Sequence, residues 1–299
     1  MAKKYAIGVD IGGTKIQAAL ILGHRVIKRF RVPTEAKRGR EVILSNIARA
    51  IKEVWTPKVG FIGIGIAGLV NHEKGVFVEG PNFPRSFRQI PLARLIKAKF
   101  GVPARVDNDV RCFTLGETLF GAAKSRLNVI GLTIGTGIGG GIVLAGRVYR
   151  GRDNAAGELG HTIVDLSSKA SCSCGRVGHF EALAAGPAIM NLFKKRTSKW
   201  LLATDIEKLA KKGDHVAAQT LTEASERLGI GVASIVQALN PDIVVIGGGV
   251  SRVRSLWPNL IRTFKKSVTF PILRSTPIVP ARLGDDANVI GAALLQKQP

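Results

Sequence analysis

Apolar and β-branched residues run almost unbroken through Tyr5–Ile11 and again through Lys15–Leu22, with the turn signal Gly12-Gly13-Thr14 between them. That pattern predicts a hairpin of two strands, followed by a third strand at 25–32. The period then changes. Val42, Ile43, Ile47, Ile51 and Val54 recur at helical spacing, before a strand at 59–65 and a short helix over Leu92–Phe100. Such alternation predicts an α/β architecture with helices layered on a sheet.

The second half restarts the pattern. Ile7-Gly-Val-Asp-Ile-Gly-Gly-Thr14 and Ile130-Gly-Leu-Thr-Ile-Gly-Thr-Gly137 match apolar for apolar and glycine for glycine at the key positions, which we read as an internal duplication. Two similar lobes, each opening on a glycine hairpin, imply a cleft between them. The uncharged run 129–146 is long enough to consider as a membrane span, but glycines at 131, 135, 137, 139, 140, 141 and 146 fit strand, turn and strand better. A soluble protein is therefore expected. A long helix at 214–239, closed by Asn240-Pro241, reads as a core or subunit-contact helix, and a homodimer is consistent with it.

Composition sharpens this picture in two ways. With 299 residues, 45% hydrophobic, 35 glycines and mean hydropathy +0.17, the chain can build two modest cores, which excludes a disordered or mini-protein class. Lys and Arg number 44 against 21 Asp and Glu, a net charge of +23, so phosphate-bearing partners are favoured. The excess concentrates at 25–40 and 85–105, where a solvated outer face is the better reading than a nucleic-acid surface. Cys112, Cys172 and Cys174 cannot form a disulfide framework, and no signal segment is evident, so a reducing cytoplasm is expected.

Candidate chemistry gathers at the ends of the predicted strands. In Asp10-Ile-Gly-Gly-Thr-Lys15 a carboxylate precedes glycines whose N–H groups are open to an anion, followed by a hydroxyl and an ammonium. An ordinary hairpin is the plain alternative. Gly135-Thr-Gly-Ile-Gly-Gly-Gly141 supplies a second such turn, and Ile243-Val-Val-Ile-Gly-Gly-Gly-Val-Ser251 a third, ahead of a helix expected at about Val253. Asn108 and Asp109 stand between a strand end and a helix predicted at 110–120. An aspartate there can take a proton from an attacking hydroxyl, although an N-cap fits the local pattern slightly better. His161, Cys172, Cys174 and His179 make a Cys₂His₂ set suited to structural zinc, favoured over unliganded thiols, and such a site would hold Glu158 and Glu181 toward one ligand. Cys112 reads as a small core residue, and His24 and His72 as solvated.

Taken together, the Asp10 hairpin, the Asn108-Asp109 pair, Gly157-Glu-Leu-Gly-His161 and the cysteine loop resemble, in order, the ROK family (repressor, open reading frame, kinase) of sugar kinases. The resemblance runs from about Tyr5 to Leu295. It implies a two-lobed actin-like ATPase (ribonuclease H-like) fold with an interlobe cleft. A small lobe would take 1–117 with the C-terminal helix 285–299, and a large lobe with the zinc loop 118–284.

The resemblance also implies that Asp109 is the general base, with Asn82, Asn108, Glu158, His161 and Glu181 holding sugar hydroxyls, and His161 reaching zinc through its other ring nitrogen. Asp10, Gly12, Gly13, Thr14 and Lys15, and Gly135, Thr136 and Gly137, match the phosphate segments; Gly247, Gly248 and Gly249 match the adenosine segment. The implied activity is transfer from ATP, with Mg²⁺ near Asp10, to the 6-hydroxyl of a hexose, glucose first. Fructose, mannose or an N-acetylhexosamine are alternative acceptors and polyphosphate an alternative donor. Regulators in the family carry an N-terminal winged helix; only four residues precede Tyr5, so no specific nucleic-acid partner is expected. Three positions depart from the family pattern: His179 replaces a third cysteine, Ala67 a common proline, and Val110-Arg111 the common Ala-Asn, placing a bulky cation where it is expected to alter sugar access.

Overall fold

The structure, a computed structural model, describes residues 5–298. Its first part contains β1 (Tyr5–Ile11), β2 (Lys15–Leu22), β3 (Arg25–Pro33), α1 (Arg40–Val54), β4 (Val59–Ile66), β5 (Leu69–Asn71), β6 (Val76–Glu79), α2 (Leu92–Phe100), β7 (Ala104–Asn108) and α3 (Asp109–Phe120). There follow β8 (Val129–Ile134), β9 (Ile138–Leu144), β10 (Arg147–Val148), α4 (Phe180–Ala184), α5 (Gly186–Thr197), α6 (Ala203–Lys211), α7 (His215–Leu239), β11 (Ile243–Gly247), α8 (Trp257–Ser267), β12 (Ile278–Pro280) and α9 (Ala287–Ala293).

The two large sheets share one topology. Their orders are β3-β2-β1-β4-β7 and β10-β9-β8-β11-β12. In the first, β1 is antiparallel to β2 and parallel to β4; in the second, β8 is parallel to β11, which is parallel to β12. A meander followed by crossover strands, built twice, is the structural form of the repeat seen at Ile7 and Ile130. The expected α/β class holds.

Contact density divides the chain into two units. One comprises the described residues up to Leu127, with Gly141–Gly157 and the chain from Ala281 onward; the other comprises Asn128–Gly140 and Glu158–Pro280. These limits differ from the expected ones. A boundary after 117 would cut α3, and the fully buried Glu117 carboxylate accepts the N–H groups of Arg282 and Leu283 at 2.7–3.1 Å, which fastens the C-terminal segment to the first unit from that point. The end of β9 and all of β10 also belong to the first unit, where Val148 N–H donates to Gln298 Oε1 at 3.0 Å. The lobe expected to be small is therefore the longer one.

In the first unit, Ile7, Val9 and Ile11 of β1 and Ile62, Ile64 and Ile66 of β4 are fully buried, as are Ile43, Ile47 and Ile51 of α1. This is the stripe that the helical spacing predicted. β3 is an edge strand whose Arg25, Lys28, Arg29 and Arg31 are exposed, as expected of a solvated cationic face. After β11 the helix expected near Val253 begins later. Two short 3₁₀ turns over 250–256 intervene, and α8 starts at Trp257 with Pro258 in its first turn, where a missing N–H costs no hydrogen bond. Asp214 caps α7 by accepting Ala217 N–H at 2.9 Å, and Asn240 ends it in the left-handed conformation. Among the described residues no helix is long and apolar enough to cross a membrane.

Candidate functional site

Parallel strands β1, β4 and β7 end at one edge of the first sheet, the edge from which loops can reach a ligand. Asp10, Gly65 and Asp107 are aligned there across the three strands. Asp10 Oδ1 accepts Asn288 Nδ2–H at 3.1 Å, from the first turn of α9. Desolvation raises its carboxyl from the ordinary aspartate range, against the pull of Asn288, Lys15 and Arg31. A carboxylate at this strand end is an oxygen donor of the kind a hydrated cation takes. Gly12 and Gly13 follow in a turn pinned by Thr34, whose hydroxyl donates to Gly12 O at 2.6 Å and whose N–H donates to Thr14 O at 3.0 Å. Thr14 and Lys15 are exposed. The Asn82 side chain lies over Gly13: a Cβ there would come within 2.6 Å of Asn82 Cβ.

Asn108 and Asp109 occupy the switch from β7 to α3. Asn108 is the N-cap, its Oδ1 accepting Val110 N–H at 2.9 Å and Arg111 N–H at 3.2 Å, while its Nδ2 donates to Gly68 O at 3.1 Å. One amide hydrogen of Asn108 is left for a ligand. Asp109 is the first helical residue, partly exposed, with its Cα packed over Gly65. The helix N-terminus there favours a negative charge.

Two expectations nearby are corrected. His72 is not solvated. Its ring is buried, with Nδ1 2.9 Å from Val106 O and 3.5 Å from Asp107 Oδ2. Arg111 is not a loose cation beside the sugar site but is 3% exposed and held on three sides, by Asp107 Oδ1 and by the carbonyls of Asn154 and Ala156. Burial of Cys112, fully out of solvent behind Asp109, pushes its thiol well above the ordinary range, as befits a core residue.

In the second unit the Gly135-Thr-Gly137 turn closes β8 onto β9 with Gly135 N–H donating to Gly137 O at 2.9 Å. Its Gly135 O accepts Gly186 N–H at 2.8 Å, which places the start of α5 against the turn. Gly248, in the left-handed region at φ 86°, abuts the end of β8, so the turn at 247–249 lies beside this one. Glu181, in the first turn of α4, bridges hairpin and cysteine loop. Its Oε2 accepts Ile138 N–H at 3.0 Å, and its Oε1 accepts Ser173 Oγ–H at 2.7 Å and the Cys172 thiol at 3.3 Å. Desolvation alone would raise this carboxyl; those donors together hold it below the ordinary glutamate range.

His161, Cys172, Cys174 and His179 converge, with one ligand atom from each lying within 4.8 Å of the others. Nδ1 of His161 is 3.5 Å from Cys172 Sγ, and Nδ1 of His179 is 3.3 Å from Cys174 Sγ. A tetrahedral metal with bonds of roughly 2.0–2.3 Å needs ligand atoms about 3.5 Å apart, so the donor set fits such an ion. Nε2 of His161 faces the other way, 3.7 Å from the exposed Glu158 carboxylate. Without a cation, desolvation pushes the Cys172 thiol up to about 11.

Three contributors escape the sequence pattern: Asn288, Thr34 and Ser173. Asn288 alone left a signal, in the polar run Asp285-Asp286-Ala287-Asn288 ahead of an apolar helix.

The chain matches the ROK family over residues 6–299. A glucokinase of Thermotoga maritima is 32% identical over 315 residues, covering 100% of this chain and 99% of the relative. Among solved structures, a ROK hexokinase from Thermus thermophilus superposes with TM-score 0.85 at 33% identity, covering 97% of both chains. A ROK family glucokinase from Streptomyces griseus in complex with glucose and AMPPNP gives 0.84 at 30% identity, covering 97% of this chain and 98% of that one.

Proposed function

The chain belongs to the ROK family, and from that premise we propose that it is an ATP-dependent hexokinase that phosphorylates the 6-hydroxyl of glucose. The observation that carries the chemistry is the contrast between its two neighbouring carboxylates. Asp107 is fully buried and committed to Arg111 and Arg150, whereas Asp109 is partly exposed at a helix N-terminus, so Asp109 is the one a substrate hydroxyl can reach. Asp109 is the general base and accepts the hydroxyl proton as the oxygen attacks the terminal phosphorus of ATP.

Asn82, Asn108, Glu158, His161 and Glu181 hold sugar hydroxyls. For Asn108 this means its one remaining amide hydrogen, and for His161 its Nε2 edge. Lys15, Thr14, Thr136 and the N–H groups of Gly12, Gly13, Gly135 and Gly137 bind the phosphates; 247–249 contacts the adenosine. Mg²⁺ brought with ATP would be held near Asp10 and neutralises phosphate charge. Zinc is the ion that His161, Cys172, Cys174 and His179 suit, since imidazole and thiolate share its preference, and its part is structural: it fixes the loop that carries Ser173 and, through it, Glu181. A homodimer in the cytoplasm, supplying hexose phosphate to glycolysis, completes the reading.

Asp109→Asn tests it. Turnover with glucose and ATP should fall roughly 10² to 10⁴-fold with hexose affinity little changed. Near-normal turnover would overturn the assignment. A panel of glucose, fructose, mannose and N-acetylglucosamine, each with ATP or polyphosphate, ranks acceptors and donors in the same coupled assay.

A further inference from the structure

Behind Asp109 lies a buried charged cluster that the proposed chemistry does not use. Asp107 has no exposed side-chain surface, yet four groups surround its carboxylate. Oδ1 accepts Asn108 N–H at 2.8 Å and Arg111 Nη1–H at 3.2 Å; Oδ2 accepts Arg150 Nε–H at 2.9 Å and lies 3.5 Å from His72 Nδ1. The far end of the Arg111 guanidinium reaches another part of the chain. Nη2 donates to Asn154 O at 2.7 Å and to Ala156 O at 2.8 Å.

The segment it grips is tightly formed. Ala156 N–H closes onto Arg150 O at 3.0 Å, and Asn154 sits in the left-handed region at φ 58°. The Asn154 side chain accepts His72 N–H at 3.3 Å and donates to Glu73 Oε2 at 3.0 Å. Arg111 thus joins two lengths of chain in the first unit: the start of α3, which carries Asp109 two residues before it, and the segment 150–157, which leads directly into Glu158. A planar guanidinium can satisfy a carboxylate on one side and two carbonyls on the other, in fixed geometry; an ammonium cannot span them.

We propose that Arg111 is a positioning residue for hexose phosphorylation, setting the backbone that leads into Glu158 against the helix start that carries Asp109. This rests on the reading of Asp109 as base and Glu158 as sugar ligand. Arg111 is buried and its guanidinium is bonded to Asp107 and to the Asn154 and Ala156 carbonyls, so its effect reaches the reaction through Asp109 and Glu158. A shift of the helix start or of 150–157 bears on the residues proposed for the sugar, whereas Lys15 and 247–249, proposed for the nucleotide, lie outside both segments.

The test compares Arg111→Lys, Arg111→Met and the double variant Asp107→Asn/Arg111→Met with the wild-type enzyme, using glucose and ATP. In Arg111→Met, kcat/KM for glucose should fall at least tenfold while KM for ATP stays within twofold. Arg111→Lys, which keeps the charge, should show a smaller loss of the same kind. The double variant also takes the carboxylate from Arg150, so it should be no more stable in urea than Arg111→Met and should keep the loss in glucose kcat/KM. Recovery of glucose kcat/KM in the double variant, or equal losses toward both substrates, would show a folding role only and overturn the proposal. Arg111→Lys is the most conservative of the three, and wild-type glucose kinetics in it would overturn the proposal as well. Asp109→Asn assayed beside them separates the two ideas. Full turnover there sinks the base assignment, whereas inert Arg111 variants beside a crippled Asp109→Asn sink only the positioning role.

Discussion

A methyl group on Gly137 would lie 2.4 Å from Oε2 of Glu181, the oxygen that accepts Ile138 N–H. The hairpin turn and the carboxylate are fitted to one another with no space for a side chain. Gly137→Ala should therefore expel Glu181 from its seat and lower kcat/KM for glucose by on the order of 10²-fold, since an ångström of misplacement has that scale of effect. Steady-state kinetics at saturating ATP check this. Unaltered kinetics would mean that Glu181 does not need its present position.

The ligand set at the cysteine loop predicts about one tightly held zinc per chain by elemental analysis of the purified protein. Cys172→Ser should lose the ion and lower the melting temperature, because the ion would cross-link His161 and His179 to Cys172 and Cys174 over a loop otherwise closed by hydrogen bonds and by the pairings of Ile163 with His179 and Ser171 with Val177. His179→Cys should keep the ion, as thiolate and imidazole are both good ligands. A metal-free wild type with unchanged stability would reject the site.

Helix α9 lies on the first sheet at a spacing that only glycine permits. A Cβ on Gly63 would come within 1.7 Å of Ala292 O, which is backbone and cannot swing aside. Gly63→Ala should destabilise the protein by about 3 kcal/mol or more, the upper end of overpacking costs. Because α9 also carries Asn288, the partner of Asp10, activity should fall in the same variant below its melting point. Chemical denaturation and a coupled assay on one preparation give both values.

His72 sets a pH dependence of stability. Burial lowers its pKa from the ordinary 6.5, with Asp107 pulling it up and Arg150 pushing it down. The unfolded chain therefore binds the proton first, so stability is complete above about 6.5 and falls as the pH drops toward the depressed folded value. The carboxylates held low, Glu35, Glu73, Glu181 and Glu207 with an ordinary 4.5 and Asp165 with 3.8, act only beneath those values, and Asp10, raised by burial, works in the opposite sense from 3.8 upward. Urea midpoints should decline between pH 7 and 5.5 in the wild type and much less in His72→Gln. Equal slopes in the two proteins would assign the decline to other groups.

Strands, helices and glycine turns of this protein were written locally in its sequence. The hairpin Tyr5–Leu22 follows from two almost unbroken apolar runs about a glycine turn, and the limits of α2 and the buried stripe of α1 from a period of 3.6 residues, none of which needs knowledge of the rest of the chain. The repeat that gives both sheets one topology was legible for the same reason, and the metal-ligand set because its four residues fall within a short span. Other properties were settled only when distant segments met. Asn108 is a cap as well as a candidate sugar ligand because Gly68 takes its amide; Asp10 is held by a residue from the last helix; His72 and Arg111 are buried because 72 meets 107 and 111 meets 154 and 156. A side chain's polarity states what it needs. Whether water or a carbonyl from the far end of the chain supplies it depends on which surfaces the fold brings together, and local period carries no record of that.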